Sequence, residues 1–306
     1  MKPTPSTYKI HQIRQHLSPR DLEVLRAIET FRLLTTGQIQ RLRFLDHVSS
    51  SSAARTTVRV LARLEGHRLI VRLSRRIGGY DKGSAANVWQ LAALGERLLR
   101  ALDGNPNRRR FVEPSEKFTA HTVATAELAV RTVEHSRQGH FDILTLQTEP
   151  DCWRTSTRED GTTDWLKPDL FMVTADADYE SHAFVEIDLD TEHLPAILRK
   201  CHTYQRYWRS GIEQADSGLF PAVVWVVPTA GRAERIRAAI RGEASLTSDL
   251  FHVVTADQAL SVLSPEPSTN TDPDPDPDPD PDPDPDPDPD PDPDPDKSSN
   301  RKEVSP

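Results

Sequence analysis

The feature that most limits how this chain can fold is an unbroken alternation of aspartate and proline. Residues 272–296 contain 13 Asp and 12 Pro and nothing else. Proline removes every second backbone donor and fixes φ, so the tract can form neither a helix nor a strand. Repulsion between the aspartates extends it further, and we expect a stiff polyproline II spacer. About 264 residues remain for folding, which is enough for two domains.

The tract also hides an uneven distribution of charge. The chain carries a formal net charge of −9, yet residues 1–110 carry +13 and residues 111–264 carry −10. We call these segments the basic head and the acidic body. A basic segment of this size is typical of proteins that bind a polyanion such as double-stranded DNA, although the total charge argues against that partner.

Composition excludes several other classes of protein. Two cysteines, Cys152 and Cys201, cannot form a disulfide framework and lack the spacing of a zinc site. The longest apolar run, Ala222–Val227, is far shorter than the roughly 20 residues that span a bilayer. The polar start of the chain has no apolar signal core. We therefore expect a reduced, soluble, cytoplasmic protein without membrane segments.

The basic head is predicted to contain four helices and two strands. Ser18-Pro19-Arg20-Asp21 is a helix start, with Ser as the N-cap and Pro at the first helical position. A second helix should begin near Thr36, and a third should run from Ser49 to about Glu65. The remaining predicted elements are strands at Leu69–Leu73 and Asn87–Leu91 and a helix at Ala93–Leu102.

The third helix has two distinct sides at about 100° per residue. One side is apolar, with Thr57 in its middle, and comprises Ala54, Val58, Val60, Leu61 and Leu64. The opposite side is polar and basic, and comprises Ser52, Arg55, Thr56, Arg59 and Arg63. Its three arginines repeat every four residues, a spacing of like charges that weakens an isolated helix and that a bound polyanion would relieve.

Three helices followed by a hairpin predict a winged helix-turn-helix. In that arrangement the third helix enters the major groove and the tip of the wing contacts phosphate or the minor groove. Arg75, Arg76 and Lys82 would be the phosphate contacts of the wing. The alternatives are an ordinary solvated arginine face and a winged helix used for protein binding.

The acidic body is predicted to be an α/β domain with a mixed sheet. A helix from Ser115 to about Gln138 comes first. The predicted strands are Asp142–Thr148, Leu170–Thr174, Ala183–Asp188, Ala222–Val227 and Phe251–Thr255. Helices follow the last three strands, at about Thr191–Arg209, at Gly231–Arg241 and from near Asp257. Asp190 is expected to be the N-cap of the first of these.

Acidic residues gather at the ends of two predicted strands. Asp169 opens one strand, and Glu186 and Asp188 close the next, on the same side of it. Buried acids are costly unless they bind a cation or a base. Such oxygen ligands suit Mg²⁺, which can activate water for phosphodiester cleavage. The alternative is that these acids face solvent or cap the next helix.

Residues 115–260 resemble the PD-(D/E)xK nuclease superfamily, on Pro168-Asp169, Glu186-x-Asp188 and the order of elements. The resemblance implies that Asp169 and Glu186 hold a metal. Asp188 stands where the family has lysine, and some of the superfamily's restriction endonucleases carry an acid there. Other members move the lysine to the following helix, where this chain has Lys200 at the edge of the predicted buried stripe.

Two further positions on the predicted helices bear on this site. Glu127, on the first helix of the body, is a further candidate metal ligand, and the alternative is a helix-edge glutamate with its carboxylate in solvent. A third hypothesis is that the acidic body is a tyrosine-based relaxase. Tyr204 and Tyr207 lie on a packed helix without a metal-binding histidine cluster, which disfavours it.

The whole chain resembles the replication-relaxation family of plasmids and integrative elements. The resemblance rests on Leu17–Asp21, Val88–Leu91, Lys167–Leu170 and Phe184–Asp188, with Lys200 and Tyr204. It implies a DNA-binding protein of a mobile element that acts in replication or relaxation of its DNA, with Mg²⁺-dependent nicking as one hypothesis. The alternative is a transcriptional or replication accessory regulator with an inactive nuclease fold. A homodimer and contacts with replication or conjugation proteins are further expectations.

These inferences give an α+β, two-domain organisation with a tail. The expected segments are a flexible N-terminus (1–16), a winged-helix DNA-binding domain (17–105), a linker (106–114), a PD-(D/E)xK nuclease-like domain (115–263) and a disordered acidic tail (264–306). The tail is expected to act as a spacer. A sharper hypothesis is that it competes with DNA for the basic head, so that its deletion would tighten DNA binding at low salt.

Overall fold

The protein was analysed as a computed structural model that describes residues 7–45, 49–74, 86–104, 114–158 and 160–265. The predicted wing contacts Arg75, Arg76 and Lys82 lie outside the described residues, as do the Asp-Pro tract and nearly all of the predicted linker. The described residues belong to one compact unit that extends from Met1 to Pro267. They contain both helices and mixed sheets, so the fold is α+β.

The described part of the basic head contains five helices and a small antiparallel sheet. Its elements are α1 (Thr7–Gln15), α2 (Pro19–Phe31), β1 (Leu33–Thr35), α3 (Thr36–Arg43), α4 (Ser50–Gly66), β2 (Ile70–Arg72), β3 (Val88–Leu91) and α5 (Ala93–Asp103). Strand β3 lies between β1 and β2 and is antiparallel to both.

The helix starts of the basic head follow from side-chain capping. Ser18 accepts a hydrogen bond from the Asp21 backbone N–H, and the Asp21 carboxylate accepts from the Ser18 N–H in return. Thr35 and Gln38 form the same reciprocal pair at α3, and Ser49 caps α4. Because each cap satisfies amide donors that a helix start leaves unpaired, these residues fix where the helices begin. The predicted starts of all three helices are confirmed.

Three details of the head differ from the prediction. Residues 7–15, predicted to be flexible, form α1, and the short strand β1 was not predicted. Val58, placed on the apolar side of α4, is 57% exposed, whereas Thr57 is fully buried as expected. Helical periodicity centres the buried stripe on Thr57, Val60 and Leu64, which leaves Val58 outside it.

The acidic body consists of a five-stranded sheet, a separate hairpin, five α-helices and a short 3-10 helix (Ser248–Leu250) among the described residues. Its elements are α6 (Glu116–Arg137), β4 (Asp142–Thr148), β5 (Arg154–Thr157), β6 (Thr163–Leu166), β7 (Leu170–Ala175), β8 (Glu180–Ile187), α7 (Leu194–Ser210), α8 (Ile212–Ser217), β9 (Ala222–Val227), α9 (Ala230–Gly242), β10 (Phe251–Thr255) and α10 (Ala259–Leu263). The sheet order is β10-β9-β8-β7-β4. Strands β8, β9 and β10 are parallel, and β7 is antiparallel to both of its neighbours.

The two faces of this sheet pack against different helices. On one face, Val185 and Ile187 of β8 belong to a cluster with residues of α6 and α10, and the same cluster contains core residues of the head. On the other face, Phe184 and Trp225 pack with residues of α7 and α9. Strand residues alternate between the faces because successive side chains point to opposite sides. The head and the body therefore share a continuous apolar core.

Polar contacts between α3 and α6 join the head to the body. Arg41 forms ion pairs with Glu127 and Glu134, which lie two turns apart on α6. Arg137 donates hydrogen bonds to the backbone carbonyls of Arg41 and Leu42 near the end of α3. The hydrogen bonds of Arg137 satisfy terminal carbonyls of α3, and the ion pairs of Arg41 hold α3 against α6.

The body also departs from the prediction in three places. The hairpin β5–β6 and the short helix α8 were not predicted. Helix α7 has His193, not Asp190, as its N-cap residue, so the predicted cap is wrong. Asp190 has a positive φ of 60° and instead forms ion pairs with Arg232 and Arg235. No helix of the described residues has the length and apolarity needed to cross a bilayer.

Candidate functional site

The antiparallel pairing of β7 and β8 brings two acidic residues to one end of the sheet. Leu170, the first residue of β7, is paired with Val185 near the end of β8. Asp169 immediately precedes Leu170, and Glu186 immediately follows Val185. The two carboxyl groups, which are 17 residues apart in the chain, are therefore neighbours.

Glu186 is completely enclosed and is bound by two side chains of α7. Its carboxylate has 1% of its surface exposed and forms an ion pair with Lys200. The Tyr204 hydroxyl donates to Glu186 Oε1 at 2.5 Å. One turn of helix separates the two partners, so both side chains project from the same side of α7 toward the end of β8. Lys200 thus reaches the sheet, as its position beside the buried stripe predicts.

Asp169 is bound from the opposite side by α6. Its Oδ1 lies 3.0 Å from His121 Nε2, and its Oδ2 accepts a hydrogen bond of 2.7 Å from the Ile187 backbone N–H. Asp169 is buried and His121 is half-buried. The carboxylate therefore links the first helix of the body to the end of β8.

The charges of this cluster shift one another's pKa values. Burial raises the pKa of Glu186 to about 8, against the opposing charge of Lys200. Burial acts to lower the pKa of Lys200, but the charges of Glu186 and Asp169 outweigh it and raise that pKa. Burial likewise disfavours the charged Asp169, yet the His121 hydrogen bond and the Lys200 charge hold its pKa below the usual value. Lys200 is therefore the fixed positive charge of the cluster.

The carboxylate of Asp188 binds a different partner. Its Oδ2 accepts a 2.7 Å hydrogen bond from Arg232 Nε on α9, and both side chains are almost fully buried. Its Oδ1 is enclosed and has no hydrogen-bond partner within the described parts of the chain. This acid, predicted to join Asp169 and Glu186 as a ligand, is instead half of a separate ion pair.

Glu127 also binds away from Asp169. It forms an ion pair of 2.6 Å with Arg41 and accepts a 3.0 Å hydrogen bond from Gln38 Nε2. Both partners come from α3 of the head. The structure thus brings Asp169, Glu186 and Lys200 together, and places the other two predicted ligands, Asp188 and Glu127, in contacts of their own.

The cluster does not fit Mg²⁺ in the arrangement that the structure shows. Each of the four oxygens of Asp169 and Glu186 has a protein donor within hydrogen-bond distance, and Lys200 supplies the cation for Glu186. Over the described ranges, no group of three His, Cys, Asp or Glu residues is placed to hold a metal. Mg²⁺ requires oxygen ligands that are free to face it.

Sequence reasoning missed two members of the cluster region. His121 lies seven residues before the buried Leu128 on α6, so helical spacing places both on one side of the helix. This spacing indicates that the imidazole faces inward. Arg232 lies in the first turn of α9, four residues before the buried Ile236, and that spacing indicates an inward side chain. Nothing in the local sequence pairs it with Asp188.

A cavity opens beside His121 and Asp169 at the boundary between head and body. Arg32 from the head and Glu149 from the body line it and form an ion pair of 3.0 Å. Phe118, which is largely exposed, borders the same cavity. Arg32 has a positive φ of 63°, an uncommon conformation for a residue with a side chain. The imidazole and carboxylate at the cavity wall can exchange a proton with a bound molecule.

The exposed side of α4 forms a second candidate site. Arg55 and Arg59 are exposed, and neither forms an ion pair with a described residue. Ser52 and Thr56 lie half-buried beside them, and Thr56 Oγ1 is 3.4 Å from Arg59 Nη2. Arg63 differs from the other two arginines, since it forms an ion pair with the buried carboxylate of Asp21 on α2.

Comparison with known proteins adds one finding. A family model described as replication-relaxation matches residues 25–223. The matched segment begins in α2 and ends in β9, so it includes α4, Asp169, Glu186 and Lys200. No curated protein and no solved structure matches the chain.

Proposed function

Because the chain belongs to the replication-relaxation family, we propose that it acts on the DNA of a plasmid or another mobile element during replication or relaxation. We further propose that it binds this DNA as a duplex through its basic head. The observation that carries the proposal is the exposed side of α4, where Arg55 and Arg59 lie without acidic partners among the described residues. Unneutralised guanidinium groups on one helix face are suited to phosphate and to guanine edges.

The arrangement of the head supports a winged-helix interpretation. Helices α2, α3 and α4 precede the antiparallel pair β2–β3, which is the order of elements in a winged helix-turn-helix. In such proteins the third helix lies in the major groove. On this interpretation α4 reads bases, and Arg75, Arg76 and Lys82, between β2 and β3, contact phosphates.

The experiment that tests duplex binding is a titration of the full chain with labelled duplex DNA at increasing salt. We expect the logarithm of affinity to fall linearly with the logarithm of salt concentration, because each neutralised phosphate releases counterions. Footprinting on the DNA of a mobile element would then locate the site. Affinity that does not depend on salt would contradict the proposal.

We propose that the acidic body is a nuclease-like domain without metal-dependent activity. The support is that all carboxylate oxygens of Asp169 and Glu186 already have protein donors, with Lys200 in ion contact with Glu186. Metal-dependent DNA nicking is the second candidate function. The gathering of two acids and a lysine at one strand end favours it, since the PD-(D/E)xK superfamily uses these residue types.

Incubation of supercoiled plasmid with Mg²⁺ or Mn²⁺ separates the two candidates. The proposal predicts no conversion to open circles by the wild type under conditions in which it binds the plasmid. Nicking by the wild type that is lost in Asp169→Ala would establish the second candidate. Nicking that persists in Asp169→Ala would indicate a contaminating nuclease and leave the first candidate standing.

A further inference from the structure

The hairpin β5–β6 carries an exposed aromatic face that the proposed function does not use. Trp165 on β6 is 51% exposed, an unusual exposure for the largest apolar side chain. The hairpin lies between β4 and β7 in the chain, and β6 leads through Lys167 and Pro168 directly to Asp169.

Two indole rings and an ammonium group are packed together on this face. The rings of Trp153 and Trp165 meet edge to face, with centroids 6.1 Å apart. Lys167 Nζ lies 4.4 Å from the centroid of Trp153 and 5.6 Å from that of Trp165. Strand alternation puts Thr155 on the same face, directly opposite Trp165. The contacts hold Trp165 in place while half of its surface stays in solvent.

The other face of the hairpin carries charged side chains. Asp164, paired with Ser156 on that face, forms ion pairs with Arg158 and with Arg206 of α7. One carboxylate thus serves two guanidinium groups. Arg209, also exposed, lines the same groove, and Asp160 is its second acid. Because Arg158 and Arg206 are paired with Asp164, the cation that lies against the two rings is Lys167.

We propose that the outer face of β5–β6 binds single-stranded DNA, with a base stacked on Trp165 and a phosphate near Lys167. Exposed aromatic rings interleaved with cations are the physical basis of such binding, because every base has a π-face. A protein partner fits the surface less well. Beside Trp153, the residues next to Trp165 are Thr155 and Lys167, which are polar or charged, whereas the core of a protein interface is a contiguous apolar patch.

This surface is distinct from α4 and would serve a different form of DNA. Replication and relaxation both generate unpaired strands, so the inference deepens the proposed function by naming the substrate of the body. It does not require cleavage at Asp169.

The test is binding of the full chain to a labelled oligothymidylate of about 15 nucleotides, followed by anisotropy and by quenching of tryptophan fluorescence. We expect Trp165→Ala to weaken binding at least about 5-fold, which is the lower limit for loss of one base–aromatic stack. Trp165→Phe should retain most of the affinity because it keeps a stacking face. Tyr179→Ala is the matched control, since Tyr179 is an exposed aromatic residue at the opposite end of β7 and β8.

Variants of the two surfaces keep this inference separate from duplex binding. Arg55→Ala with Arg59→Ala should weaken duplex binding and spare the oligothymidylate, and Trp165→Ala should do the reverse. Lys167→Gln, which leaves both rings in place, should lower the salt slope of oligothymidylate binding by about one. This variant keeps the inference testable if Trp165→Ala alters the fold.

Three results would overturn the inference. The first is equal oligothymidylate affinity of wild type and Trp165→Ala. The second is tighter binding of oligouridylate RNA, which would assign the surface to RNA. The third is a loss of self-association in Trp165→Ala, measured by sedimentation, without a change in oligothymidylate affinity. That outcome would assign Trp165 to an interface between two copies of the chain.

Discussion

Charged side chains are exposed on one side of helix α4, whereas those at the end of β8 are enclosed and paired. On α4, Arg55 and Arg59 are exposed and form no ion pair with any residue that the structure describes. At the end of β8, Glu186 and Asp188 are enclosed, and each faces a cation from a helix of the body. An exposed charge costs little and remains available to a partner, whereas a buried charge must be compensated within the fold.

The difference separates binding from stability. Removing Arg55 or Arg59 should change what the protein binds, because no described residue forms an ion pair with either of them. Removing a cation of the body should change whether the protein folds, because a carboxylate would be left in the core without compensation. Arg63 lies between these cases, since it is on α4 but forms an ion pair with the buried Asp21.

The largest effect is expected for Arg232→Ala. The substitution leaves Asp188 in a buried site without its cation, and loss of one partner of such a pair costs about 3–5 kcal/mol. The free energy of unfolding, measured by urea denaturation, should fall by about this amount. Arg235→Ala is the control, because Arg235 on the same helix is 58% exposed and its pair with Asp190 should contribute less than about 1 kcal/mol. Equal losses in the two variants would break the comparison.

The second effect concerns duplex affinity. Arg55→Ala with Arg59→Ala should weaken binding at least about tenfold, because hydrogen bonds to charged groups each contribute roughly 1.5–3 kcal/mol. The salt slope should fall by about two if both arginines contact phosphate. The free energy of unfolding should change by less than about 0.5 kcal/mol, as for other exposed positions. Unchanged duplex affinity would remove α4 from the proposed interface.

The third effect sharpens the boundary between the two regions. Arg63→Ala should lower the free energy of unfolding by about 1 kcal/mol, since Asp21 keeps its bonds to Ser18 while Arg63 is 46% exposed and partly screened. Its effect on duplex affinity should be smaller than that of Arg55→Ala. Denaturation and duplex titration of the two single variants, side by side, would show whether all three arginines act alike.

The smallest effect concerns the pH dependence of the cluster. Burial acts to lower the pKa of His121, but the hydrogen bond to Asp169, together with the charges of Asp169 and Glu186, outweighs it and raises the pKa above its usual value. A raised pKa means that the folded state favours the protonated imidazole. The stability advantage of the wild type over His121→Gln, under about 1 kcal/mol, should be full below pH 6.5 and disappear as pH rises through the raised pKa.

Nuclear magnetic resonance titration of His121 checks the cause of that shift. In Asp169→Asn the imidazole loses the negative charge of its partner while its burial stays the same, so its pKa should fall. A His121 pKa that does not differ between wild type and Asp169→Asn would show that Asp169 does not stabilise the protonated imidazole.

Local sequence was sufficient to predict most helices and the strands of the main sheet. Ser18 and Ser49 marked helix starts because their side chains bond to amides three residues away. The run Ala222–Val227 marked a buried strand by its apolar character alone. Strands β5 and β6 were missed because each has four residues and neither alternates apolar with polar side chains, β5 being polar throughout. Among the described strands they pair with each other.

The candidate site could be predicted only in part. The position of Lys200 beside the buried stripe of α7 indicated that its amine would reach the sheet, and it contacts Glu186. Alternation along β8 could not show that Asp188 faces Arg232, because that contact depends on where α9 returns after β9. The same holds for His121 and Asp169, which lie 48 residues apart in the chain.

By itself the sequence determined which residues carry charge, where most helices and the strands of the main sheet lie, and that residues 272–296 can form neither helix nor strand. The tertiary structure decided which charges are paired and which remain free. The reason is physical: capping and periodicity act over a few residues, whereas the cost of burying a charge is offset by whichever opposite charge the fold brings next to it. Arg55 and Arg59 therefore remain exposed without an acidic partner among the described residues, whereas Lys200 and Arg232 each lie next to a buried carboxylate.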